Sequence, residues 1–426
     1  MKAIPFIYFS ILFIFNSIHK KRIINVSNLL IGVYALSGLC FLILSNYVEY
    51  YISIDAALYY LVCMSLLIIP HIYFDEDRIR MRIVKLEFKH IKLVYVVYFL
   101  IQLSAILFYL PDAIGAIRGD IFLNRILVNM GEYNIRGKTD LYIAFVGYSW
   151  PISLTMFFYC VISREKIFYS LMFLVCSLFG VIYVIAHAGR SGITLWFMLF
   201  LFNYIFFKKY VIDVEKTTVG AITSVKLIKL FAFSLLVLLM VFFVTITTAR
   251  FLNDTFYSQY HIAGPFMTII DYFGQSYGNF ALYFTNNWLD QKIYYGQYTL
   301  PLLYGILKMV GVLPDFSYEL IMKEIYSFHL TSALQPGTFN TLLKELSIDY
   351  GLWGLLVLCV LYCYICIAFI RNKARLWGLP AILTYTFLFT IPYYGIFFYA
   401  YGDSLTNFTM VYYIISTLLL SRLLKS

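Results

Sequence analysis

Apolar runs long enough to cross a bilayer recur from one end of this chain to the other, and that succession constrains the fold more than any motif. Runs of roughly 16 to 23 residues are the length a membrane span requires. The sequence places them near 3–18, 28–46, 55–74, 93–110, 141–162, 167–187, 192–207, 230–248, 350–370, 379–400 and 406–421. In hydrocarbon every backbone N–H and C=O must be paired internally, and a run of this length does so as a helix. The expected fold class is therefore all-α: a polytopic integral membrane protein of about 11 transmembrane helices, organised as a single transmembrane domain over 1–426. With 62% hydrophobic and 13% charged residues, the chain cannot clothe a water-soluble globule. His19-Lys20-Lys21-Arg22 follows the first run directly with no small-residue cleavage site, so that run is expected to remain as an anchor.

Positive residues are retained on the cytoplasmic side of a membrane. Alternating the spans places 21 of the 32 Lys and Arg on one side, at 20–22, 78–92, 164–166, 208–229, 371–375 and the C-terminus. Only 7 of the 22 acidic residues share that side. It is expected to be cytoplasmic, with the C-terminus there and the N-terminus on the opposite face. The net charge of +10 is thus a topological signal, and no nucleic-acid partner is expected. All seven cysteines lie in apolar runs, which indicates neither a disulfide framework nor a metal site.

This topology leaves one long extracytoplasmic segment at 249–349, whose stretches at 262–285 and 299–313 are apolar enough to lie in the interface or re-enter the membrane. The outward side also carries Arg118, Arg125, Arg136, Arg190 and Arg250. Guanidinium groups at a membrane surface suit the phosphate oxygens of a lipid diphosphate, and equally suit snorkelling or pairing with Asp112, Asp120, Glu132 or Asp140. Arg190 sits in His187-Ala188-Gly189-Arg190-Ser191-Gly192, where a helix opens outward. The free N–H groups of such a helix start attract an anion; an ordinary glycine-containing turn reads the same way.

In the long segment, Tyr260, Tyr272, Tyr277, Asn279 and Asn340 have the chemistry of a glycan groove: rings for sugar C–H faces, amides for hydroxyls. An aromatic-anchored interfacial helix has the same composition. His261, Asp271, Glu345 and Asp349, with His329, are candidate proton acceptors for a glycosyl transfer in which arginine stabilises the departing diphosphate. Thr338 and Asp349 also read as helix N-caps, and Gly351 and Gly354 as packing glycines. No nucleotide-binding loop is present.

Three stretches carry a resemblance: Ala188-Gly189-Arg190-Ser191-Gly192, Tyr260-His261-Ile262-Ala263-Gly264-Pro265, and Thr338 to Thr341 followed by Asp349-Tyr350-Gly351-Leu352-Trp353-Gly354. In these, and in its hydropathy layout, the chain resembles the Wzy-type O-antigen and capsular polysaccharide polymerases. The resemblance implies an enzyme of the bacterial cytoplasmic (inner) membrane, a nucleotide- and metal-independent glycosyltransferase. Such an enzyme joins oligosaccharide repeat units carried on undecaprenyl diphosphate and works in membrane lipid beside a flippase and a chain-length regulator. It implies no cofactor, with Arg190 and Arg250 on the diphosphate and His261 or a nearby carboxylate as base. The Arg-x10-Gly pairs of some members are not matched at Arg118, Arg125, Arg190 or Arg250. An O-antigen ligase, a lipid-linked oligosaccharide flippase or other transporter, and a non-catalytic scaffold are the alternatives; the near absence of ionisable residues from the spans counts against a carrier.

Overall fold

The computed structural model describes residues 1–47, 52–76, 79–81, 89–118, 146–187, 191–217, 264–287, 293–312, 341–372, 376–399 and 404–423, with single positions between 233 and 244. The described chain is helical apart from one two-residue parallel pairing, β1 (Arg80–Met81) with β2 (Leu376–Trp377). It divides into two compact units.

The first unit comprises 1–79, 259–375 and 385–410. It begins with α1 (Ile4–His19), α2 (Val26–Leu44) and α3 (Ile54–Tyr73). Local chemistry sets their starts. The Asn25 side chain accepts the N–H of Asn28 at 2.8 Å, and the Ser53 hydroxyl accepts that of Ala56 at 3.1 Å, so each satisfies a donor the helix cannot. At one end of this bundle Arg22 lies 3.5 Å from Asp75 and 3.6 Å from Glu76, and the Lys20 ammonium donates to the Phe74 carbonyl. Glu76 is buried, and that burial raises its pKa above the ordinary carboxylate value against the pull of Lys20 and Arg22.

The stretch 262–285 forms α9 (Gly264–Asn287), labelled after the second unit's helices α4–α8 given below. It packs lengthwise on α2 and α3. Its contacts run from Ser37 with Phe273, through Phe41 with Tyr277, to Tyr59 with Phe284. It therefore travels in the direction of α2 and opposite to α3, as a member of the bundle. Gly274 permits the approach: a Cβ there would lie 2.8 Å from the Cys40 carbonyl carbon and the Phe41 nitrogen. After it come α10 (Pro301–Met309), with Leu303, Ile306 and Met309 exposed, and α11 (Leu342–Asn372).

The span expected at 350–370 thus starts eight residues earlier, and the helix breaks at Gly351, whose φ of 70° is costly for any residue with a Cβ. Gly351 serves this break and not helix packing. Next are α12 (Leu379–Tyr394) and α13 (Ser404–Leu423), whose Tyr385–Tyr394 and Ser404–Met410 parts fall in this unit.

The second unit contains α4 (Lys89–Arg118), α5 (Trp150–Ile162), α6 (Ile167–Ser177), α7 (Phe179–Ala186) and α8 (Ser191–Thr217). Every residue of α5 is buried, as expected for a helix apolar all round and enclosed by others. The span expected at 167–187 is two helices meeting at Leu178. Buried hydroxyls are paired across helices: Tyr98 bonds Ser149 at 2.7 Å and Ser153 at 2.6 Å, and the Trp196 indole donates to Ser177 at 2.9 Å.

Six described helical stretches are long and apolar enough to cross a membrane: Val26–Leu44, Ile54–Tyr73, Tyr95–Arg118, Ile167–Ala186, Ser191–Val211 and Leu342–Asn372. Their outer surfaces agree. Ile7, Ile11, Ile14, Phe15 and Ile18 form one exposed stripe along α1, and Trp353, Val357, Val360, Leu361, Tyr364 and Ile365 another along α11. Apolar faces of this extent in water are aggregation sites, whereas against lipid tails they carry no penalty.

Candidate functional site

Within the first unit, α9 has two buried faces of opposite character. At 3.6 residues per turn, Gly274, Tyr277, Phe280, Ala281 and Phe284 share the face packed on α2 and α3, with Phe273 at its edge, its ring 5.2 Å from that of Phe397. Tyr272, Ser276, Asn279 and Tyr283 follow each other at intervals of four, three and four residues on the other side, with Gln275 at its edge. All five are buried. Two contacts show what this second stripe meets: the Tyr272 ring lies 5.1 Å from that of Phe397, and the Lys344 ammonium sits 5.9 Å from the centre of the Tyr283 ring. The stripe therefore looks toward the turn after α12 and the first turn of α11.

Those two segments are tied together. The Leu342 N–H donates to the Gly395 carbonyl at 2.9 Å, and Glu345 Oε2 accepts the Tyr399 N–H at 2.5 Å. Thr341 caps α11, its hydroxyl accepting the Lys344 N–H at 3.3 Å. Lys344 and Glu345 are only 2% and 4% exposed, a cation and an anion held side by side at a helix start inside an apolar bundle. Such charges are costly unless matched. Together with amides, hydroxyls and two tyrosine rings they make one buried polar cluster, a candidate chamber whose donors and acceptors match a hydroxylated ligand with an anionic group.

Asp349 is one turn further on and differently employed. Its Oδ1 accepts the Tyr298 N–H at 3.0 Å and its Oδ2 the Thr299 N–H at 2.6 Å, while Asn407 donates to the Thr299 carbonyl at 3.3 Å. The carboxylate thus pins the segment leading into α10 and does not cap the helix that follows it.

The other expected residues are placed as follows. Asp271 is half-buried beside the stripe, and Tyr272 and Asn279 belong to it. Tyr277 is on the opposite face, its ring 4.9 Å from Phe41 and 4.7 Å from Tyr60, in the aromatic core between helices. Arg118 is exposed in the last turn of α4, where a cation suits the helix dipole. In the turn before α8, His187 bonds the Tyr183 carbonyl at 2.7 Å, and a Cβ on Gly192 would meet the Gly180 carbonyl, so this glycine packs α8 on α7. Arg125, Arg136, Arg190, Arg250, Tyr260, His261, His329, Thr338 and Asn340 lie outside the described residues.

Sequence reasoning missed the pairing of Lys344 with Tyr283; the interval between Tyr272, Ser276, Asn279 and Tyr283 was its available signal. It also missed His71, fully buried near the end of α3. His71 Nε2 lies 3.0 Å from the Tyr362 hydroxyl and Nδ1 3.1 Å from that of Tyr385. Tyr362 already gives its proton to the Leu388 carbonyl at 2.7 Å, so it accepts from Nε2–H, and Tyr385 donates to Nδ1. The imidazole is fixed in one neutral tautomer and links α3, α11 and α12. Among the described residues no group of His, Cys, Asp and Glu side chains could hold a metal ion.

No family model, no curated protein and no solved structure matches this chain.

Proposed function

We propose that the chain is a membrane glycosyltransferase that polymerises undecaprenyl-diphosphate-linked oligosaccharide repeat units on the outer face of the bacterial cytoplasmic membrane. The observation that carries this reading is the buried stripe of Tyr272, Gln275, Ser276, Asn279 and Tyr283 looking toward Lys344 and Glu345. Seven buried polar or aromatic groups gathered in one unit have the chemistry that a saccharide with an anionic leaving group requires. The location supports it. Tyr59 at the start of α3 bonds the Leu352 carbonyl beside the α11 break, at the end of the bundle away from Lys20 and Arg22. By the charge rule, the basic end faces the cytoplasm and the chamber the other side. In this topology about 11 spans leave the N-terminus outside and the C-terminus in the cytoplasm.

In the reaction, an acceptor sugar hydroxyl attacks the anomeric carbon of the growing chain. The new C–O bond forms as the bond from that carbon to the lipid diphosphate breaks, and the diphosphate leaves with the electron pair. The hydroxyl proton passes to a carboxylate, Glu345 in this chain. Tyr272 and Tyr283 stack on sugar faces, and Gln275 and Asn279 bond hydroxyls. Arg190 and Arg250, aided by Arg118, Arg125 and Arg136, hold diphosphate headgroups at the membrane surface. Asp271 and Asp349 flank the chamber.

Reconstitution of the purified full chain with one defined lipid-linked repeat unit tests this. Dimers and longer oligomers without added nucleotide are expected. Transfer only to a different lipid acceptor would mean a ligase, and movement of the unit across the bilayer without new linkages would mean a flippase.

A further inference from the structure

We infer that two turns of the chain, at 18–24 and 164–168, are docking surfaces for anionic phospholipid of the cytoplasmic leaflet, with Lys21 in one and Lys166 in the other on the phosphate. This goes beyond the polymerase reading and rests on the topology, in which both turns fall on the basic side of the membrane. Three observations lead to it. The first is a shared backbone device. Among the described residues three that are not glycine have positive φ, Lys21 at 52°, Arg164 at 57° and Tyr295 at 53°. The two basic ones close α1 and α5 in the same way. The Lys21 and Arg22 N–H groups donate to the Ile18 and Ser17 carbonyls, both at 3.1 Å, and those of Arg164 and Glu165 to the Val161 and Cys160 carbonyls at 3.4 and 3.1 Å. Glycine is the usual residue at that left-handed position, because a Cβ is costly there. The helix dipole favours a cation beside it, but does not account for the rest of either turn.

The second observation is what the turns expose. Ile23 and Ile24 are 69% and 61% exposed, and Phe168 is 57% exposed with Ile167 next to it. Large apolar side chains at the end of a lipid-solvated bundle belong in the boundary between headgroups and acyl chains. The third is a division among the charges. Lys20 donates to the Phe74 carbonyl and Arg22 lies 3.5 Å from Asp75, so both are engaged, and the Asn28 amide fixes the loop by donating to the Ile23 carbonyl at 2.8 Å. Arg164 likewise has an interaction of its own. Lys21 and Lys166 are exposed, and among the described residues neither ammonium has a hydrogen-bond or ion-pair partner. A fixed turn that offers an unengaged ammonium beside exposed isoleucine or phenylalanine matches a lipid whose phosphate carries an uncompensated charge above acyl chains. A zwitterionic lipid has the same phosphate but brings its own cation.

The test titrates the delipidated full chain in detergent with phosphatidylglycerol, phosphatidylcholine or diacylglycerol, and reads bound lipid and oligomeric state by native mass spectrometry. Phosphatidylglycerol should bind most tightly and diacylglycerol least. Lys21→Asn and Lys166→Asn should each weaken phosphatidylglycerol binding at their turn about fivefold, the effect of one basic residue on an anionic lipid, and the double variant should no longer distinguish it from phosphatidylcholine. Asparagine tolerates the left-handed conformation and Lys21 has no partner to lose, so the lipid-free Lys21→Asn protein should melt no lower than wild type. Ile23→Ser should weaken both phospholipids alike. Unchanged phosphatidylglycerol binding in the double variant overturns the inference, as does equal binding of the two phospholipids by wild type. A dimer that the double variant loses while its lipid binding stays the same would mean that the turns meet a second copy of the chain, and would overturn it as well.

Discussion

The two described carboxylates of α11 make opposite predictions. Asp349 receives two backbone N–H groups, one on each oxygen, in a fully buried position. Asp349→Asn keeps one acceptor oxygen and turns an NH2 toward the second N–H. One charge-assisted bond, about 1.5–3 kcal/mol, is lost, and a buried donor is left facing another donor, which costs about 1–3 kcal/mol more. The combined destabilisation is roughly 4 kcal/mol, near a thousandfold in the folding equilibrium. Glu345 uses one oxygen for the Tyr399 N–H, and glutamine can present its own carbonyl there. With the proton acceptor gone, Glu345→Gln should lower polymerisation on the order of 100-fold or more. Heating detergent-solubilised protein and measuring the monodisperse fraction by size exclusion gives the first quantity; gel analysis of oligomers from a lipid-linked unit gives the second. A wild-type melting midpoint for Asp349→Asn would refute the pinning role, and a full product ladder with Glu345→Gln would remove that residue from the chemistry.

Three more outcomes are expected elsewhere in the structure. Gly274→Ala places a Cβ 2.8 Å from α2 backbone atoms that cannot rotate away, so α9 must shift, at about 1–3 kcal/mol, and the melting midpoint of the detergent-solubilised protein should fall; an unchanged midpoint would contradict the close approach. Cys63 and Cys359 are both buried, on the packed helices α3 and α11. In a chain lacking the other five cysteines, a membrane-permeant oxidant should cross-link them, and persistence of two reactive thiols would show that these helices do not meet this way. Burial holds the Glu76 pKa above its ordinary value of 4.5, so the folded state retains that proton to a higher pH than the unfolded chain does. The stabilisation is complete below the unfolded pKa and is lost as pH rises through the folded one; Glu76→Gln should raise the melting midpoint relative to wild type more at pH 8 than at pH 5, and an equal effect at both would contradict the burial argument.

What the sequence made legible was whatever a single segment decides for itself. The spans expected at 28–46 and 55–74 appear as Val26–Leu44 and Ile54–Tyr73, because an apolar run and a capping Asn25 or Ser53 are neighbours in the chain. Early entry into α11 was not legible, since Lys344 and Glu345 interrupt the apolar run there. Their tolerance depends on Tyr283, about sixty residues before, and Tyr399, 54 residues after. Asp349 was ambiguous for the same reason: a cap and a long-range clamp need the same residue, and only the position of Thr299, 50 residues upstream, distinguishes them. For α9 the alternation of two faces was present in the sequence, but a helix with aromatics on both sides does not say which side meets protein. Gly274 settles that, because the face carrying it alone can approach the α2 backbone, and the polar stripe is then left to the chamber. The arrangement is thus a consequence of packing: once α2 takes the small residue, Tyr283 is turned toward the Lys344 charge that opens α11.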